Sequence, residues 1–165
     1  MITINNLLFA IMYSNKDELN NSIYILEKEF GPIKDHGKEY DFNFTNYYEK
    51  EFGTNLKKTI FIFQKTIEKQ DLIQIREKTG KIEQQLSKNN KRTINIDPGY
   101  ISKTELVLAT KKGKNWKEKL GNEIYVHKIL EFKNNEATTF FHTFVDYKLK
   151  QNIEFFKKIV SNLQA

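Results

Sequence analysis

Three stretches of this chain place acids, amides and aromatic rings where an apolar pattern should continue. In Arg92-Thr93-Ile94-Asn95-Ile96-Asp97-Pro98-Gly99-Tyr100, Asn95 and Asp97 alternate with isoleucines. Residues two apart on a strand project from one face, so the amide and the carboxylate share a side. A carboxylate accepts hydrogen bonds and an amide both gives and accepts them, so the pair can orient a polar ligand at the strand's end. A structural reading stands beside this one. Pro98 and Gly99 suit the middle of a tight turn, and Asp97 can bond that turn's own backbone.

The second stretch runs from Phe44 to Gly53 and holds Tyr47, Tyr48 and Glu51. Two tyrosines can stack on a flat ligand while Glu51 accepts a hydrogen bond from it, or the rings can cover the core edge with Glu51 in solvent. The third, Thr143 to Lys148, carries Asp146 just before the last expected helix, where an N-cap is the simplest role. If Asp97, Glu51 and Asp146 converge, their oxygens could hold Mg²⁺ or divide acid and base duties. Arg92 and Lys111, the latter beside Thr110, are the cations suited to a phosphate, and Tyr100 adds a third flat ring.

Several chemistries are excluded by what is missing. There is no cysteine, hence no disulfide, thiolate metal site or cysteine nucleophile. No phosphate-cradling Gly-rich loop, dinucleotide fingerprint or nucleophile elbow occurs. His36, His127 and His142 lack helical ligand spacing, although His127 and His142 could meet across the last hairpin.

The net charge of +6 and pI near 9.3 invite a nucleic-acid reading. Against it, Arg76 and Arg92 are the only arginines, and the lysines are scattered rather than gathered on a stripe. RNA binding through a sheet face of aromatics and lysines, or a protein-interaction role, therefore stays an alternative. No apolar run reaches the roughly 20 residues that cross a bilayer. The N-terminal stretch lacks the features of a leader, and the chain reads as cytoplasmic. Nothing sets its oligomeric state.

The elements that must position these residues follow from periodicity. Leu7–Tyr13 and Thr59–Phe63 read as buried strands, and Lys38–Thr45 alternates Tyr40, Phe42 and Phe44 on one side. Asp17–Phe30 and Asp71–Leu86 carry helical spacing, the second with Asp71 and Gln74 as a capping pair. Arg92–Asp97 should be a strand ending in the Pro98-Gly99 turn. Glu105–Lys111 should be another, followed by a hairpin of Glu123–Phe132 with Ala137–Phe144 and a closing helix from Leu149. The expected fold is one α+β domain over 1–165, mainly an antiparallel sheet with helices on one face. Its order permits a ferredoxin-like core extended by the C-terminal hairpin and helix.

Taken with their neighbours, the motifs resemble an uncharacterised prokaryotic family, domain of unknown function 4416. The resemblance rests on Phe30-Gly31-Pro32; Phe44-Thr45-x-Tyr47-Tyr48-x-x-Glu51-x-Gly53; Arg92-x-x-Asn95-x-Asp97-Pro98-Gly99-Tyr100; Leu106–Thr110; Ile124-Tyr125; and Asp146-Tyr147-Lys148. It spans nearly the whole chain and implies no established activity. It adds weight to Asn95, Asp97, Tyr100, Tyr47, Tyr48, Glu51 and Asp146. The chain departs from the family pattern at Lys114-Asn115-Trp116-Lys117, where a His-Arg pair is typical, and near His127, where an acid is expected. The functional expectation is a pocket near Asp97-Pro98-Gly99-Tyr100 for a nucleotide or phosphorylated small molecule. A carboxylate- or metal-dependent phosphoryl-transfer or hydrolytic enzyme is the alternative.

Overall fold

The computed structural model describes residues 3–113 and 117–163. In chain order its strands are β1 (Asn6–Tyr13), β2 (Ile33–His36), β3 (Tyr40–Asp41), β4 (Lys57–Thr66), β5 (Ile94–Ile101), β6 (Glu105–Thr110), β7 (Glu118–Gly121), β8 (Ile124–Lys133) and β9 (Glu136–Thr139). The helices are α1 (Lys16–Phe30), α2 (Glu49–Phe52), α3 (Leu72–Gln85) and α4 (Lys150–Ser161).

All nine strands form one sheet in the order β2-β4-β1-β5-β6-β8-β7, with β3 on β4 and β9 on β8, and every pairing is antiparallel. The α+β class with a large antiparallel sheet therefore holds. Every residue of β1 is buried, as a central strand covered on both faces requires. Leu7, Phe9 and Ile11 point to one face and meet Leu19 and Leu26 of α1 and Leu72 and Ile75 of α3. Leu8 and Ala10 point to the other, where Phe155, Phe156 and Ile159 of α4 close a second core. Helices thus cover both faces of the sheet, not one. The reason is that β1, β4 and β6 are apolar on both sides, and a second apolar face must find a cover.

Local signals set the boundaries. The Asn15 side chain accepts from the Asp17 amide at 2.7 Å and opens α1, which stops at Gly31 with φ of 93°. Ahead of α3, Asp71 does not pair with Gln74. Its carboxylate accepts the Glu68 amide at 2.8 Å as half of a capping box that closes a short 3₁₀ turn, Lys69–Asp71. The strand expected over Lys38–Thr45 shrinks to the two residues of β3, while the polar Ile33–His36 takes the place beside β4 as β2.

The largest departure lies at Asp97-Pro98-Gly99, which is no turn. Strand β5 runs straight through it, with Ala10↔Asp97, Phe9↔Pro98 and Leu8↔Gly99 in continuous register against β1. Its ladder with β6, however, begins only at Gly99↔Leu108 and does not reach Pro98. Proline has no N–H to give a ladder, so β6 parts from β5 there. Gly99 has the opposite duty. A Cβ on it would sit 2.0 Å from the Val107 carbonyl oxygen, so only glycine lets β6 come this close. Proline opens the seam; glycine closes it one residue later. No helix among the described residues is long and apolar enough to cross a membrane.

Candidate functional site

The seam opened at Pro98 lies under a cleft of about 450 Å³ on the α4 side of the sheet. Its floor follows from strand alternation. Asn95 and Asp97 stand opposite Met12 and Ala10, so they share that face, as their spacing predicts. Leu108 and Thr110 continue the floor on β6, and His127 is the cross-strand partner of Leu108 on β8. Tyr47 and Tyr48, just before α2, make one wall; His142 and Phe144 make the other. Lys111, Lys112 and Lys117 stand around the opening. A larger hollow of about 540 Å³ lies between 41–46 and 54–57, but none of the candidate ligand-binding or catalytic residues named from the sequence lines it.

A chain of hydrogen bonds fixes the floor. Glu51 holds Arg92 bidentately, with Nε to Oε2 at 2.8 Å and Nη2 to Oε1 at 3.0 Å. Arg92 Nη1 donates to Asn95 Oδ1 at 2.9 Å, and Asn95 Nδ2 donates to Asp97 Oδ1 at 3.2 Å. The guanidinium also lies 5.0 Å over the Phe52 ring and 3.4 Å from Glu83 Oε2. Arg92 therefore lines the cleft as a strut whose charge Glu51 already balances, not as a spare cation for phosphate. The Arg92 contact holds the Glu51 carboxyl below its usual range. Burial pushes Glu83 up to about 7, although it accepts the Ile96 amide at 2.7 Å.

Asp146 does something else again. It is buried, and one carboxylate oxygen takes both the Lys58 ammonium and the Tyr40 hydroxyl at 2.8 Å. No side-chain cap opens α4, so the expected capping role is overturned. Lys58 sits 5.0 Å from the Phe42 ring and 5.1 Å from Tyr147, a buried cation among rings. Sequence reading passed over Lys58. The available signal was a lysine next to the apolar run Ile60–Phe63, on the face that β1 fills with Ala10 and Met12.

The three carboxylates thus do not gather. Glu51 is bound to Arg92, Asp146 to Lys58, and Asp97 alone faces the cleft. Among the described residues no group of three or more His, Cys, Asp or Glu could hold a metal ion, so the convergence on which Mg²⁺ depended is absent. Tyr100 also leaves the site. It lies on the α3 face of β5, is 2% exposed and donates its hydroxyl to Glu105. Asn115 and Trp116 lie outside the described residues.

The walls differ in how firmly they are held. Tyr48 packs edge-on against Phe42 and Phe52, and burial together with the charge of Asp97 pushes its phenol up to about 12. Tyr47 stands edge-on to it at 5.0 Å but is 66% exposed, and Lys112 reaches over its ring at 4.8 Å and donates to its hydroxyl at 3.2 Å. This contact spans the mouth from the α2 side to the end of β6.

On the far wall, β7 pairs with β8 only over 124–126 and β9 only over 130–133. The side chains of 142 and 143 fill the gap. His142 Nε2 donates to the Lys128 carbonyl at 2.8 Å, and Thr143 Oγ1 donates to that of Ile129 at 2.7 Å. His142 and His127 do meet, with ring centroids 6.5 Å apart. His127 is 4% exposed, and burial first, with Lys117 and His142 nearby, pulls its imidazole down to about 3, so the ring is neutral at neutral pH. Its Nδ1 has no hydrogen-bond partner.

Fold and cleft together define an α+β domain whose one large antiparallel sheet carries a polar hollow on an otherwise apolar face. The chain belongs to the family described as a domain of unknown function (DUF4416), whose model matches residues 3–162. No curated protein and no solved structure matches it.

Proposed function

We propose that the protein binds a small phosphorylated molecule, nucleotides included, in the cleft over Asn95 and Asp97. The observation that carries this reading is the division of its lining: Asp97 on the floor, rings on both walls, and Lys111, Lys112 and Lys117 at the opening. Small-molecule sites pair apolar and aromatic surface with a few placed polar groups in this way. Asp97 is held in position before any ligand arrives, which reduces the ordering cost of binding. The family's description names no function, so it neither adds to this reading nor conflicts with it.

A thermal-shift screen of nucleotides and sugar phosphates against the full chain tests the reading. Stabilisation of the native protein that is lost in Asp97→Ala and Lys111→Ala supports it. Shifts of equal size in the native protein and both variants, or none with any phosphorylated compound, refute it. Single-stranded RNA is the second reading, favoured by the exposed rings of Tyr47 and Phe144, which line one cleft with Lys111, Lys112 and Lys117. It requires binding that weakens steeply as salt rises.

A further inference from the structure

The lining of the cleft is not uniform, and its polarity indicates which end of a ligand enters first. Resting on the reading above, we infer that the ligand is a nucleoside phosphate whose base lies inward against Asp97 and His127, with the phosphate outward at the lysines. The Asp97 carboxylate on the inner floor repels a phosphate, and the two arginines that also line the cleft face acids, Arg92 bound to Glu51 and Arg76 close to Glu83. Asp97 is an anion with acceptor oxygens only, so whatever meets it must bring an N–H or O–H. His127 carries no positive charge to offer a phosphate, since burial keeps its ring neutral.

The second observation is the idle nitrogen on His127. A buried polar atom without a partner is costly, on the order of 1–3 kcal/mol, and native structures seldom leave one without a reason. His127 lines the cleft, is 4% exposed and has no partner for Nδ1. A neutral imidazole nitrogen matches an uncharged donor or acceptor on a ligand edge, and a nucleobase edge presents both kinds.

The spacing also suits a flat bicyclic or monocyclic group rather than a single polar atom. Asp97 is on β5 and His127 on β8, with only β6 between them, so their strands lie roughly 10 Å apart at ordinary sheet spacing. One group touching both must be extended, and the rings of Tyr48 and Phe144 that line the same cleft favour a planar one. Phe144 is edge-on to His127 at 5.4 Å, which leaves a ring face for stacking. At the opening, Lys112 lies over Tyr47 and Lys111 stands beside it on β6's end, where a phosphate would meet cations instead of Asp97.

Calorimetric titration of the full chain with a purine nucleoside monophosphate, a pyrimidine nucleoside monophosphate, ribose 5-phosphate and pyrophosphate tests the orientation. At least one nucleoside monophosphate should bind more tightly than ribose 5-phosphate. His127→Leu should weaken that nucleotide by about three- to tenfold, the value of one hydrogen bond, and leave ribose 5-phosphate unchanged. His127→Asn, whose amide reaches the place of Nδ1, should restore most of the loss. Lys111→Ala should weaken both compounds together. If ribose 5-phosphate binds as well as either nucleotide, or His127→Leu affects both alike, the base-inward orientation is wrong while phosphate binding stands. If none of the four binds, both readings fall.

Discussion

The carboxylate of Asp97 accepts a 3.2 Å hydrogen bond from the amide of Asn95, its neighbour on the same face of β5. Because Asn95 takes its own bond from Arg92 at 2.9 Å, the direction of the Asn95 amide is fixed: oxygen towards the guanidinium, nitrogen towards Asp97. The fork of Glu51 on Arg92 begins this line, so a residue outside the cleft decides how the floor points. Replacing Arg92 by Lys keeps the charge but loses the planar fork and the contact with Asn95. We expect Arg92→Lys to lower stability by about 1–3 kcal/mol in urea denaturation and to weaken ligand binding as well. A variant as stable as the native protein would show the line to be idle.

Gly99→Ala should be among the most damaging small substitutions. The added methyl would meet a backbone oxygen at 2.0 Å, and a carbonyl held in a sheet cannot swing aside as a side-chain tip can. Overpacking of this kind is worth about 1–3 kcal/mol and more where backbone must move. Thermal melts of Gly99→Ala should show a loss at or above that range. Gly53→Ala, where nothing lies within 4 Å but φ is 85°, should show a smaller loss from backbone strain alone.

Much of the framework was legible in the sequence. Helical spacing located α1 and α3, alternation located β8, and the two-residue interval placed Asn95 and Asp97 on one face, while the hairpin's second strand, expected over Ala137–Phe144, is only Glu136–Thr139. What failed was the meaning of Pro98-Gly99. Local rules make that pair a turn, yet here each residue answers to β6, a strand that the sequence shows only later and whose distance no local rule gives. Tyr100 followed the same error, since a strand that continues sends it to the opposite face. Glu51 and Asp146 were readable as acids but not as the partners of Arg92 and Lys58, because ion pairs between distant segments leave no periodic trace.

The buried pair of Lys58 and Asp146 predicts strong non-additivity. Side chains only 7% and 4% exposed hold the two charges, so removing one leaves the other without compensation. Lys58→Met and Asp146→Leu should each cost about 3–5 kcal/mol, whereas the double substitution should recover much of that loss. A double-mutant cycle by urea denaturation measures this. Additive losses would mean that the pair acts through packing against Phe42 and Tyr147 and not through charge.

Stability against pH should separate Glu83 from His127, because their shifts run in opposite senses. Glu83 is raised from 4.5 to about 7, so within that window the folded chain holds a proton that the unfolded chain has released. Its contribution is complete below 4.5 and fades as pH rises through 7. His127 is lowered from 6.5 to about 3, so there the unfolded chain holds the extra proton. Its contribution is complete above 6.5 and fades as pH falls towards 3. In urea denaturation from pH 4 to 8, the advantage of native protein over Glu83→Gln should shrink with rising pH, and that over His127→Asn should grow. Parallel curves for the native protein and Glu83→Gln would mean that water reaches the Glu83 carboxylate. The bond it accepts from the Ile96 amide, beside Asn95 and Asp97, would then be weaker than its 2.7 Å length indicates.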